Sequence, residues 1–148
     1  MKSFINNLMR KVMAFGTFDL LHPGHLHYLN QAKKLGNRLI VVVTTDKNAE
    51  KVKGKPPINA QQHRLELVNS LKPVDEAILG EENDFFMVVE EKKPDIIALG
   101  YDQAEQHEWV EKELKKRGLK VKVVRLEPLE EGKHKVSKIK EKIAKEFT

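Results

Sequence analysis

The sequence predicts a doubly wound α/β fold, and three observations predict it. Five short apolar runs recur along the chain, stretches with helical spacing separate them, and no repeat, linker or low-complexity segment interrupts the alternation. Strands that alternate with helices form βαβ units, and these build a parallel sheet covered on both faces. Since 148 residues suffice for one hydrophobic core, we expect residues 1–148 to form a single Rossmann-like domain.

The candidate strands are nearly continuous apolar runs, a pattern typical of strands that are buried on both faces. They span residues 12–15, 39–44, 76–79, 95–99 and 121–125. Apolar residues at helical spacing predict helices over 25–35, 61–71, 84–92 and 104–117. A last helix is predicted to begin at Ser137, a residue type that caps helices. Ligands of such sheets bind at the carboxyl ends of the strands, so the loops after Phe15, Thr44, Leu99 and Arg125 are the ones of interest.

Composition excludes several classes of function. The chain has no cysteine, which rules out disulfides, thiolate metal sites and cysteine nucleophiles. No apolar stretch is long enough to cross a bilayer, and the N-terminus lacks the apolar core of a signal peptide. We therefore expect a cytoplasmic protein without a membrane partner.

The net charge of +5 is concentrated towards the C-terminus. Residues 111–148 hold 13 basic and 7 acidic side chains, whereas residues 1–110 hold 14 and 15. This bias would attract nucleic acid or polyphosphate substrates, or it reflects solvated helix faces. A nucleic-acid-binding module is disfavoured because, apart from Phe147, no aromatic side chains interleave with the lysines.

The segment "GTFDLLHPGH", residues 16–25, follows the first strand. Gly16 permits a close approach by a ligand, and Pro23 with Gly24 predicts a tight turn into a helix. Helix N-termini bind phosphate, and His22 and His25 would each donate a hydrogen bond to it. A metal site that also uses His27 lacks the usual i, i+4 spacing, and we expect none. A purely structural turn is the other alternative.

This segment resembles the HxGH signature of the nucleotidyltransferase family, which includes cytidylyltransferases, phosphopantetheine adenylyltransferase and archaeal FAD synthases. The resemblance extends from about Lys11 to the C-terminal helix. It implies that His22 and His25 are catalytic and contact the nucleotide phosphates. It also implies nucleotide contacts at neighbouring motif positions, namely Thr17, Phe18, Pro23 and Gly24.

Two later segments narrow the resemblance. "KVKGKPPINAQQHR" is similar to a loop of archaeal FAD synthases, which implies that Lys55 and Arg64 bind a substrate phosphate, although His63 departs from the pattern. "LGYDQ" is similar to the LGPDQ-like segment of the same enzymes and implies that Asp102 binds the nucleotide. The alternative for Asp102 is a helix N-cap.

The C-terminal segment "EEGKHKVSKIKEKI" matches the family least well. Only Ser137 matches the hydroxyl-rich helix start that binds triphosphate in relatives, with Lys133, His134 or Lys138 as further candidates. This departure counts against a cytidylyltransferase and leaves open a regulator that binds nucleotide without catalysis.

The resemblance implies an FMN adenylyltransferase, which transfers AMP from ATP to FMN and releases pyrophosphate with the help of a divalent metal cation such as Mg²⁺. No general base is needed because the acceptor phosphate is already ionised, so Asp19 is free to organise the turn. The enzymatic alternative is a cytidylyltransferase that acts on glycerol 3-phosphate. Family members often form dimers, and a homodimer is left open.

Overall fold

A central sheet of five parallel strands organises the computed structural model, which describes residues 10–128 and 136–147. The strands are β1 (Lys11–Gly16), β2 (Arg38–Val43), β3 (Glu76–Leu79), β4 (Ile96–Leu99) and β5 (Lys122–Arg125). Their order in the sheet is β3-β2-β1-β4-β5, and every neighbouring pair is parallel. The predicted fold class is confirmed, and each strand lies within one residue of its predicted bounds.

Six α-helices lie in the described part of the chain. They are α1 (Pro23–Lys34), α2 (Asp46–Lys53), α3 (Gln61–Asn69), α4 (Met87–Lys92), α5 (Ala104–Lys116) and α6 (Val136–Phe147). The helix predicted over 84–92 begins only at Met87, because the Asp84 carboxylate accepts a hydrogen bond from the Phe86 N–H in the preceding turn. The last helix begins at Val136, so Ser137 lies inside its first turn instead of starting it.

Helix α2 is the element that the sequence analysis missed, since it treated these residues as a loop. The Thr45 hydroxyl caps its N-terminus by accepting the Asn48 N–H, and Gly54 ends it with a left-handed φ of +79°. Ala49 is its one buried residue, so the segment has no apolar stripe at helical spacing. Its capping residues, Thr45 and Gly54, are the sequence signal that could have predicted this helix.

The two faces of the sheet carry different helices. Successive residues of β1 point to opposite faces, so Val12 and Ala14 pack with the apolar residues of α1 and α3. Met13 and Phe15 pack with those of α4 and α5 on the other face. Both clusters are buried, which explains why the strands are apolar without alternation.

The strand order reverses beside β1. The chain moves from β1 to β2 and β3 on one side of the sheet and then crosses to β4 and β5 on the other. The carboxyl ends of β1 and β4 therefore flank the switch point at which α/β sheets bind ligands. No helix in the described ranges is long and apolar enough to cross a membrane.

Candidate active site

The two histidines of the HPGH segment lie together at the start of α1. His22 is the N-cap residue, and its Nδ1 accepts a hydrogen bond from the Gly24 N–H at 3.1 Å. The His25 Nδ1 accepts the His22 N–H at 3.3 Å, which completes a reciprocal capping box. Their rings are stacked with centroids 3.8 Å apart. Pro23 occupies the first position of the helix, where its missing N–H costs nothing.

These hydrogen bonds determine which ring nitrogen carries the hydrogen. A neutral imidazole has one donor and one acceptor nitrogen, and in both rings Nδ1 acts as the acceptor. The hydrogen of each neutral ring is therefore on Nε2. Two parallel rings thus present N–H donors of the same kind at a helix N-terminus, which is an arrangement suited to phosphate oxygens.

His25 is held in its neutral form. Burial of the ring, together with the neighbouring His22, lowers the pKa of His25 from 6.5 to about 4. Near pH 7 it therefore acts as a hydrogen-bond donor and not as a cation. Neutral donors can still stabilise charge that develops on a phosphate in a transition state.

The Phe18 ring packs against the His25 ring. The two rings meet edge-on with centroids 5.2 Å apart, and Phe18 is 3% exposed. The residue has φ of +54°, a strained conformation for a bulky side chain. Gly16 makes room for the ring, because a Cβ there would lie 2.7 Å from it. The nucleotide contact predicted for Phe18 is untested, and its packing favours a positioning role.

Arg64 lies at the centre of a buried hydrogen-bond network that reaches the motif at Thr17. Its side chain is fully buried, and Nη1 donates to the carbonyl oxygens of Thr17 at 2.7 Å and Thr44 at 2.8 Å. Its Nε donates to the Asn59 carbonyl at 2.9 Å, and Nη2 donates to the Asp46 carboxylate at 2.8 Å. The donors of Arg64 are thus directed at protein groups, which favours a positioning role over the predicted substrate contact.

Asp19 organises the same region, as the sequence analysis expected. Its carboxylate accepts the backbone N–H groups of Ile58 and Asn59, both at 2.9 Å, and lies 3.4 Å from the Lys140 amine. Burial opposes ionisation, but these backbone bonds and Lys140 outweigh it and lower the pKa of Asp19. The aspartate therefore joins the motif to the β2–α3 connection and to α6.

The remaining predicted residues lie on the connections that follow β2 and β4 and on α6. Lys55 is exposed and follows the end of α2, and Asp102 is exposed in a short 3-10 helix after β4. Asp102 is not the N-cap of α5, because Gln103 occupies that position. The backbone of Ser137 belongs to α6, but its side chain lies outside the described residues, as do Lys133 and His134.

Two side chains that the sequence analysis overlooked bridge the strands at the switch point. The Tyr28 hydroxyl donates to the Ala98 carbonyl at 2.6 Å and accepts the Phe15 N–H at 3.2 Å, so it inserts between β1 and β4. The Gln103 amide accepts the Gly100 N–H at 2.9 Å and donates to the Phe15 carbonyl at 3.3 Å. Burial raises the pKa of Tyr28. The sequence signal that could have identified Tyr28 is its spacing of three residues from His25.

Beside Asp102, a cavity of about 470 Å³ opens at the ends of β4 and β5. The cavity lies at the loop after Arg125, which was one of the loops expected to bind a ligand. Its lining residues are Tyr101, Arg125, Leu126, Glu127 and Pro128.

Residues 13–143 match the sequence profile of the cytidylyltransferase-like family. The chain belongs to that family. It is 54% identical over 124 residues to the FAD synthase of Ferroglobus placidus, which covers 83% of this chain and 80% of the relative. It is 56% identical over 122 residues to the FAD synthase of Methanobrevibacter smithii, which covers 80% and 79%. The predicted family resemblance is confirmed.

Solved structures agree with this membership. A lipopolysaccharide core biosynthesis protein from Thermoplasma volcanium superimposes with a TM-score of 0.78 at 48% identity, covering 82% of this chain and 98% of that protein. Pantoate-beta-alanine ligase from Francisella tularensis superimposes with a TM-score of 0.65 at 16% identity, covering 94% and 69%. The second likeness shows the fold alone.

Proposed function

We propose that this protein transfers the adenylyl group of ATP to the phosphate of FMN and produces FAD and pyrophosphate. The observation that carries the proposal is the identity of more than half of the aligned residues with FAD synthases, over about four fifths of both chains. The paired histidines at a helix N-terminus support it, because their chemistry suits transfer between phosphates.

In the proposed reaction, an oxygen of the FMN phosphate attacks the α-phosphorus of ATP in line with the bond to the β-phosphate. A new P–O bond forms, the bond to the leaving oxygen breaks, and pyrophosphate departs with that electron pair. Negative charge grows on the non-bridging and leaving oxygens. The Nε2–H donors of His22 and His25 would stabilise this charge, and such donors are typically worth 10²–10³ in kcat each.

No side chain needs to remove a proton from the acceptor, because a phosphate monoester is ionised near neutral pH. This fits the contacts of Asp19, whose two carboxylate oxygens are occupied by the backbone of Ile58 and Asn59. The histidines would therefore act through hydrogen bonds and orientation, with His25 positioned by the Phe18 ring.

The divalent cation is proposed to enter with the triphosphate. Within residues 10–128 and 136–147, no group of three or more His, Asp or Glu side chains could hold a metal ion. When bound to ATP, the cation would neutralise the charge of the leaving pyrophosphate.

The nucleotide is proposed to lie across the switch point between β1 and β4. Thr17 and the Pro23–Gly24 turn would contact it on the β1 side, and Asp102 would bind the ribose or base beside the 470 Å³ cavity. Ser137 and Lys138 of α6 are proposed to contact the triphosphate. Lys55, exposed at the other side of the motif, would bind the FMN phosphate.

The test is pyrophosphate release by the purified protein with Mg²⁺ and four substrate mixtures. ATP or CTP is combined in turn with FMN or glycerol 3-phosphate. Turnover confined to ATP with FMN is the expected result, and FAD is identified in the product by chromatography. Turnover with CTP and glycerol 3-phosphate would instead assign the protein to the cytidylyltransferases.

A further inference from the structure

Aromatic side chains are scarce in this chain but concentrated in the structure. The sequence has six Phe, one Trp and two Tyr, and four of these side chains pack together against the face of the sheet that α4 and α5 cover. We call this group the aromatic cluster. It consists of Phe15, Phe85, Phe86 and Trp109.

The cluster has a buried side and an exposed side. Phe15 and Phe86 are 6% and 2% exposed and belong to the core, whereas Trp109 is 51% exposed and Phe85 is half-buried. Met87, beside Phe86 in the chain, is 50% exposed. Large apolar side chains exposed together, unlike single scattered ones, mark a binding surface.

The buried side is fixed in place. The Arg117 guanidinium lies 5.0 Å from the centroid of the Phe86 ring, within cation–π distance. It also forms ion pairs with Asp84 and Glu90 at 3.1 Å and with Glu113 at 3.0 Å. Arg117 thus fixes the β3–α4 connection that carries Phe85. A rigid surface loses little conformational entropy when a flat ligand binds to it.

The cluster adjoins the HPGH motif along the chain through Phe15, whose side chain points to the face of the sheet that α1 does not cover. Phe15 is the last residue but one of β1 and directly precedes the Gly16–Thr17 start of the motif. Its ring lies 4.5 Å from the Phe85 ring, and Phe85 in turn lies 5.9 Å from Trp109. The β3–α4 connection and the N-terminal half of α5 both begin at the carboxyl edge of the sheet, where the histidines lie.

We propose that Trp109 and Phe85 form an aromatic platform for FMN, on which the isoalloxazine ring stacks on Trp109 and contacts Phe85 at its edge while the FMN phosphate faces His22 and His25. The two side-chain rings are tilted by 50° to each other, so one flat ligand lies parallel to one of them. This inference rests on the proposed function. Of the two substrates, FMN is the one with a large tricyclic ring, which needs a broad apolar surface. The adenine of ATP has its own candidate position in the cavity beyond β4. The cluster lies on the face of the sheet that α4 and α5 cover and contacts β1 through Phe15.

The experiment compares steady-state kinetics of the wild type with Trp109→Leu and Phe85→Leu. Loss of a stacking partner should raise the KM for FMN roughly tenfold in Trp109→Leu, with the KM for ATP unchanged. Trp109→Phe should restore most of the affinity for FMN, because it restores an aromatic face. The matched control is Leu67→Ala, which changes an apolar side chain with 49% exposure on α3, across the sheet. It should leave both KM values unchanged.

Flavin emission provides a second measurement that does not require turnover. FMN is titrated with each protein in the absence of ATP, and its fluorescence is recorded. Contact with the indole should quench the bound flavin in the wild type, and this quenching should be much weaker with Trp109→Leu. Trp109 is the one tryptophan of the chain, so no other indole contributes.

The outcomes separate the two proposals. If the wild type releases no pyrophosphate from ATP and FMN, the proposed function fails and the platform with it. If the wild type turns over FMN but both leucine variants keep its KM and its flavin quenching, only the platform is overturned. An equal rise in the KM values for ATP and FMN would also overturn it, because it would indicate a general loss of structure.

Discussion

Two neighbouring regions of the candidate site are stabilised in different ways. In the β1–α1 turn, residues 16–25, the histidines are held by bonds between residues no more than three positions apart. The β2–α3 connection, residues 44–60, depends on partners far away in the sequence. Asp19 holds Ile58 and Asn59 from 39 and 40 positions away, and Arg64 bonds to Thr17 from 47 positions away.

The difference separates local from tertiary encoding. A capping box forms from a few consecutive residues, so the placement of the two histidines is encoded locally and their motif is recognisable in the sequence. The connection exposes Lys53, Gly54 and Lys55 to solvent, and its bonds to Asp19 and Arg64 join it to the motif and to α3.

Replacement of Arg64 by methionine should break the long-range network. The carbonyl oxygens of Thr17, Thr44 and Asn59 would lose a buried donor, and each such loss costs about 1–3 kcal/mol. We expect the free energy of unfolding to fall by about 3–5 kcal/mol, measured by urea denaturation. Lys55→Ala, at an exposed position, is the control and should unfold like the wild type. Equal stability of Arg64→Met and the wild type would show that the network contributes nothing.

Replacement of His22 by asparagine or alanine should separate catalysis from capping. Asparagine retains an acceptor for the Gly24 N–H, whereas alanine loses the cap and about 1 kcal/mol of stability. Both variants lack the Nε2–H donor, so both should lose about 10²–10³ in kcat. Thermal unfolding and pyrophosphate release are measured together. If His22→Asn turns over like the wild type, the catalytic assignment of His22 is wrong.

The ionisation of His25 should be visible in its pH dependence. Its pKa in the folded protein is about 4, so an NMR titration should show the ring neutral at pH 6. The unfolded chain takes up this proton near pH 6.5, and the folded state does so only near 4. Stability should therefore fall as the pH decreases through this window, and less so in His25→Gln. A midpoint for His25 near 6.5 would contradict the inferred burial.

Removal of the Lys55 charge should have the smallest effect. The side chain is exposed and interacts through solvent, so Lys55→Ala should raise the KM for FMN about two- to fivefold, and less at high salt. Lys51→Ala, an exposed lysine in the last turn of α2, is the matched control. Equal effects of the two substitutions would show that Lys55 has no specific contact with the substrate.

The fold could be predicted from the sequence because parallel strands that are buried on both faces appear as continuous apolar runs. The bounds of β1 and β4 follow directly from their apolar runs. Helix α2 was missed for the opposite reason: it buries only Ala49, so its helical character depends on Thr45 and Gly54 at its ends. The nucleotidyltransferase resemblance could be recognised in the sequence because the HPGH turn is a local motif, and the match of residues 13–143 to the family confirms it.

The parallel α/β architecture, the paired histidines at a helix start and the family of the chain can be read from the amino-acid sequence alone. The inward direction of Arg64, the insertion of Tyr28 between β1 and β4 and the clustering of four aromatic rings are visible only in the folded protein. The two groups of features differ in the distance along the chain between the residues involved. Caps and apolar periodicity involve neighbouring residues, whereas these contacts join residues that only the completed sheet brings together.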